Sequence, residues 1–130
     1  MNFILKHFKW IMIISGVITC SMFLALFSPE LALKSTFGAT LEGDLSNIVV
    51  RNWGALIGMV GCLLVYGAYH VESRPLVLTI GIISKSIFVF LVLVFGQAYL
   101  GKAGIAVVFD SILILLYALY LYDQRKKSKV

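Results

Sequence analysis

The sequence predicts an all-α polytopic membrane protein, an antiparallel four-helix transmembrane bundle with a short amphipathic helix in its first outer loop. Three observations lead there. Hydrophobic residues make up 61% of the chain and charged residues 13%, with a mean hydropathy of +1.00; soluble domains hold an apolar share of about half. Residues 10 to 27, 52 to 69, 76 to 100 and 105 to 122 are each long and apolar enough, as helix, to cross a hydrocarbon layer of about 30 Å. Lys6, Lys9, Arg74, Arg125, Lys126, Lys127 and Lys129 fall on one side of four such spans, against Lys34, Arg51 and Lys102 on the other. Cationic loops are retained on the cytoplasmic side, so a single domain with both termini cytoplasmic is expected.

The first span follows Lys6 and Lys9 and must be tested as a signal peptide. Around "FLALFSPE" Leu26 and Phe27 occupy places that a cleavage site gives to small side chains, so it reads as an anchored helix. After it, Ser28 suits a helix cap, Pro29 the first helical position, Glu30 the positive end of the dipole and Gly38 a stop. A short helix over 29 to 37 is expected, with Leu31, Leu33 and Phe37 capping the bundle or lying in the interface.

In the second span Gly54, Gly58 and Gly61 fall along one side with Val65. Lipid gives helices no hydrophobic reason to associate, so that small-residue side is expected to pack against a partner helix within the bundle. "HVESRP" turns the chain before the third span, and "LGKAG" is expected to form the tight hairpin before the fourth. In the fourth span Asp110, Leu113, Tyr117, Tyr120 and Gln124 recur at helical spacing and define an inward face.

A carboxylate within the bilayer is expensive unless paired or protonated, which makes Asp110 a site candidate that needs a counter-group. A hairpin turning at 101 to 104 sets Asp110 level with Gln97, near Arg51 at the mouth of the second span. The expected pair is therefore Arg51 with Asp110, assisted by Gln97 and Asp44 and flanked by Trp53. Lys85, in "IISKSIFVF", lies on this count about ten residues deeper, on the order of 15 Å away. Two readings of it stay open. Its ammonium snorkels toward Tyr117, Tyr120, Glu72 or water, with Ser15 and Thr19 adding hydroxyls, or it is a substrate or proton site.

Other chemistry is sparse. Cys20 and Cys62 stand far apart in sequence, outside any CxxC arrangement, and read as small apolar packing groups. His7 and His70 read as interface anchors, and no metal or other cofactor is expected. The formal charge of +5 is mostly a topology signal. The tail "DQRKKSKV" is suited to anionic membrane lipid, and with no folded basic surface nucleic acid is not an expected partner.

The chain resembles small bacterial four-span proteins of the DoxX-like kind and their uncharacterised relatives. The resemblance rests on "LFSPELALKSTFG" after the first helix, "RNWGALIGMVG" opening the second, a lysine in "ISKSIFVF" and an aspartate in "VVFDSILILLYAL". It implies a compact bundle in the inner membrane, with Arg51, Lys85 and Asp110 as intramembrane polar positions. Some such proteins are described as quinone-linked redox subunits or oxidative-stress partners, but no quinone or cofactor ligand in this chain can be matched. Two function classes follow, with a quinone-linked redox subunit as a third. One is a non-enzymatic structural, accessory or interaction protein, associating with a membrane-protein partner or with itself. The other is a subunit of a small transporter or channel using Lys85 and Asp110 as proton or anion sites, which requires a cleft reaching mid-membrane.

Overall fold

The structure, a computed structural model, describes residues 2 to 128, and all its regular elements are helical. After α1 (Asn2–Lys6), the first span runs through α2 (Phe8–Cys20), a 3-10 turn at Ser21–Phe23 and α3 (Leu24–Phe27). The amphipathic helix is α4 (Pro29–Phe37), followed by the spans α5 (Asp44–Tyr69), α6 (Arg74–Phe95) and α7 (Leu100–Ser128). Four segments, Phe8–Phe27, Asp44–Tyr69, Val71–Phe95 and Gln97–Lys127, are long and apolar enough to cross a membrane. Successive spans run antiparallel, so the described ends of the chain share one side, here the termini face. The other side, carrying α4 and the turn between α6 and α7, is the loop face. Lys129, part of the expected basic tail, lies outside the described residues.

The first span packs most extensively on α5, and α6 on α7, with α5 joining the two pairs. The α5 glycines make the first seam possible. A Cβ on Gly61 would fall 2.5 Å from the Cys20 amide nitrogen, and one on Gly16 would fall 2.9 Å from the Gly61 carbonyl oxygen. Gly58 meets the Phe23 ring and Gly54 meets Ala25. Contacts this close are how helices associate where lipid already satisfies apolar surface.

The α4 helix has the bounds the sequence gives it. Its C-terminus is closed by Gly38 in the left-handed region at φ 74°, where the Gly38 amide donates to the Lys34 carbonyl at 3.0 Å. Ser28 contributes its backbone carbonyl, which accepts from Ala32, while its hydroxyl makes no cap bond. Pro29, Ala32 and Leu33 are buried, and Phe37 reaches Trp53, Phe88 and Tyr99 with ring centroids 5.9–6.3 Å apart. The helix thus covers the loop end of the bundle, while Leu31 stays exposed.

On the loop face two boundaries differ from the sequence-based expectation. The second span begins two turns early, at Asp44, because Gly43 at φ 101° ends the preceding loop and Asp44 complements the new helix dipole. The last hairpin turns at Gly96, through a 3-10 turn over Gln97–Tyr99, and Gly101 and Gly104 lie inside α7. Glycine is tolerated within membrane helices, and here the backbone that turns is held by Gly96 donating to Val92 and Tyr99 donating to Gly96, both at 2.9 Å.

Candidate functional site

The position of that turn decides the site. Residues 96 to 99 lie midway between Lys85 and Asp110, so the hairpin brings these two level. Lys85 Nζ donates to Asp110 Oδ1 at 3.0 Å, with the lysine side chain 7% exposed and the aspartate 17%. The expected Arg51–Asp110 pair is therefore wrong. Nor does Lys85 lie too deep to reach Asp110, because the hairpin turns at 96 to 99 and not at 101 to 104.

Arg51 instead donates from Nη1 to the Leu26 carbonyl at 2.7 Å, at the C-terminal end of the first span. Gln97 donates from Nε2 to the Leu93 carbonyl at 3.1 Å, in the last turn of α6. Arg74, read from the sequence only as a topology charge, donates to Gly67 at 2.9 Å and to Ala68 at 2.7 Å at the end of α5. Its Nη1 also lies 3.4 Å from the Tyr120 hydroxyl. All three side chains serve carbonyls that a helix end leaves unpaired, and the arginines also complement the negative end of the dipole. None belongs to the Asp110 site.

Lys85 sits halfway along α6 with a second partner, Thr19 Oγ1, at 3.4 Å. Thr19 gives its own proton to the Ser15 carbonyl at 2.7 Å, which leaves its oxygen free to accept from the ammonium. One turn toward the termini face the Ser15 and Tyr117 hydroxyls are 2.6 Å apart. The lysine therefore does not reach for the interface. It is held across the bundle by α7 and the first span together. A single charge at this depth costs about 2.5–3.5 kcal/mol on insertion scales, and pairing with a carboxylate removes the net charge.

The pair borders a cavity of about 170 Å³, lined also by Thr19, Thr36, Trp53, Ser84, Phe88 and Phe109. It extends from α4 at the loop end down to the ion pair, and aromatic rings make much of its wall. Trp53 and Phe88 separate it from a second cavity of about 380 Å³, between α4 and the outer half of α6, lined by Leu33, Phe37, Leu91, Phe95 and Tyr99 among others. The site thus has a charged but neutral floor, hydroxyls along its sides and apolar volume beside it. Toward the termini face it is closed by Met12, Leu64, Leu78 and Tyr117, all fully buried.

Among the described residues no three His, Cys, Asp or Glu side chains group as metal ligands. His7 and His70 each bond through Nδ1 to the carbonyl four residues earlier, at 3.0 Å. Sequence reasoning also missed the cysteines, whose Sγ atoms lie 3.7 Å apart between α2 and α5. Their shared depth is readable only once the first two spans are in register.

Fold and site together define a multi-pass helical membrane protein with an intramembrane ion pair beside a half-open cavity. No family profile matches the chain, and neither a curated protein nor a solved structure matches it.

Proposed function

We propose that this protein is a small binding or transport subunit, taking a small solute or a proton at Lys85 and Asp110 from the loop face. The observation that carries the reading is the cavity itself: an ion pair at mid-span borders a half-open cavity of about 170 Å³. A pair kept only to join two helices needs no such volume beside it, and ionisable groups inside a membrane lie by default on ion or substrate routes. The glycine side of α5, which an interaction protein could have offered to a partner, is spent within the bundle.

In this reading the chain lies in a bacterial inner membrane with both termini cytoplasmic, supported by Lys6, Lys9, Arg74, Lys126 and Lys127 on the termini face. The same cations favour anionic lipid. A DoxX-like relationship stays part of the proposal, supported by the motifs around Arg51, Lys85 and Asp110.

The second reading is a structural or accessory protein, alone or with a membrane partner, in which the pair only fixes the register of α6 and α7. The near-complete burial of Lys85 favours it. Accessibility separates the two. In a background with Cys20 and Cys62 replaced by serine, Ser84→Cys in sealed vesicles should react with a charged, water-soluble thiol reagent, whereas Leu113→Cys should not. If Ser84→Cys stays unmodified alongside Leu113→Cys, the cavity is dry and the structural reading replaces the first.

A further inference from the structure

Two thiols that the ion-pair site does not use have been brought together by the fold. Cys20 Sγ and Cys62 Sγ are 3.7 Å apart, on residues far separated in sequence and on different spans. Cys20 is partly buried and also contacts the Gly58 carbonyl at 3.7 Å, whereas Cys62 is exposed on the outer surface of the bundle. Their approach is set by the backbone, since the Gly16 and Gly61 contacts hold α2 and α5 together at this level. Closing the sulfurs from 3.7 Å to the roughly 2.05 Å of a disulfide therefore does not require the helices to find one another first.

We propose that Cys20 and Cys62 are an oxidation site, converted to an intramolecular disulfide by organic hydroperoxides dissolved in the bilayer. Position selects the oxidant class. Cys62 is exposed on a membrane-spanning helix, where an alkyl or lipid-chain hydroperoxide partitions and an ionic oxidant does not. The Cys62 sulfur attacks the terminal peroxide oxygen, breaking the O–O bond; the thiol proton goes to the departing alkoxide, leaving a sulfenic acid and an alcohol. The Cys20 sulfur then attacks the Cys62 sulfur, the S–O bond breaks, and hydroxide leaves with the Cys20 proton as water. Two thiols and one hydroperoxide thus give one disulfide, one alcohol and one water; sulfur is oxidised and the peroxide reduced.

The bond would tie α2 to α5 immediately before the 3-10 turn at Ser21–Phe23, and next to Thr19, which accepts from Lys85. The inference does not depend on the solute reading, because it rests on a different pair of residues.

The test uses the full chain in lipid vesicles treated with cumene hydroperoxide, cleared of oxidant, unfolded in detergent and tagged with a maleimide polymer. Untreated protein should carry two tags. Treated protein should carry none while running as a monomer, regain both after reduction, and yield a Cys20–Cys62 linked peptide by mass spectrometry. Neither Cys20→Ser nor Cys62→Ser should give such a peptide, and Cys62→Ser, which lacks the attacking sulfur, should show no reducible loss of tag in the monomer. Retention of both tags, loss that reduction does not reverse, disulfide-linked dimers as the main product, or equal reducible loss in the single variants would each overturn the proposal.

Discussion

The two ends of the bundle solve the same packing problem differently. Toward the termini face, Phe8, Met12, Leu64, Leu78 and Tyr117 close into one buried core, where the Ser15 and Tyr117 hydroxyls meet at 2.6 Å. Phe8 stacks on Tyr120 at 4.3 Å between centroids, and Arg74 caps the adjoining helix. Toward the loop face the helices border two half-open cavities beside α4, and the ion pair lies at the boundary between the halves. Polar groups in lipid must be paired inside the protein, and both halves carry such pairs; the Lys85–Asp110 pair also borders a cavity. That asymmetry gives the bundle a sealed end and an end with cavities.

Breaking the ion pair should have the largest effect on this division. Lys85→Met leaves the Asp110 carboxylate without its cation in a low-dielectric site, and should lower unfolding stability by about 3 kcal/mol. Adding Asp110→Leu should restore part of the loss, because the uncompensated group is then gone. Arg51→Gln should instead add independently to Asp110→Asn, since Arg51 bonds Leu26 and not Asp110. Thermal unfolding of the single and double variants in one detergent measures both cycles. Additivity of Lys85→Met with Asp110→Leu, or strong coupling of Arg51 with Asp110, would contradict the geometry.

A pair of glycine substitutions compares a tight seam with an open surface. Gly61→Ala puts a methyl 2.5 Å from the Cys20 amide nitrogen and 2.7 Å from the Gly16 carbonyl oxygen, both backbone atoms that cannot rotate away. The helices must separate, at a cost of roughly 1–3 kcal/mol. Gly104→Ala, inside α7, meets nothing within 4 Å. There the methyl removes only the conformational penalty of glycine in a helix, and stability should hold or rise by about 0.5–1 kcal/mol. Equal losses at the two positions would mean that the seam is not set by glycine contact.

The local features were legible before the structure, and the relations between spans were not. Hydropathy marks each span because crossing a membrane is a property of one helix, and Pro29 and Gly38 bound α4 because caps act within a few residues. The inward stripe of α7 was legible for the same reason, and Leu113, Tyr117 and Tyr120 are buried as it requires. Which groups meet across a hairpin depends instead on where it turns, and depth is counted from the turn along both helices, so an error there is doubled. Taking Gly101 to Gly104 as the turn, when Gly96 and Gln97–Tyr99 supply it, set Asp110 beside Gln97 and hid its contact with Lys85. Arg51 misled for a related reason: a cation near an unpaired acid suggests a bond, but the carbonyls of a helix end compete for the same donors. The meeting of Cys20 with Cys62 needed the register of two spans whose connecting loop carries α4, which no count along the chain supplies.

The smallest expected effect sharpens the contrast most. Tyr117→Phe removes the hydroxyl 2.6 Å from Ser15 while keeping the ring that closes the sealed half. Ser15 loses one partner but still lies 3.3 Å from the Met12 carbonyl, so no buried hydroxyl is stranded. Interhelical hydrogen bonds in membranes average about 0.6 kcal/mol, and the fall in stability should be of that order. The reactivity of Ser84→Cys toward a water-soluble reagent should not change, because the barrier below the ion pair is the packed ring and its neighbours rather than the hydroxyl. If the substitution instead makes Leu113→Cys reactive, then the hydrogen bond and not the packing holds the lower half shut, and the two ends differ by a latch rather than by the density of their cores.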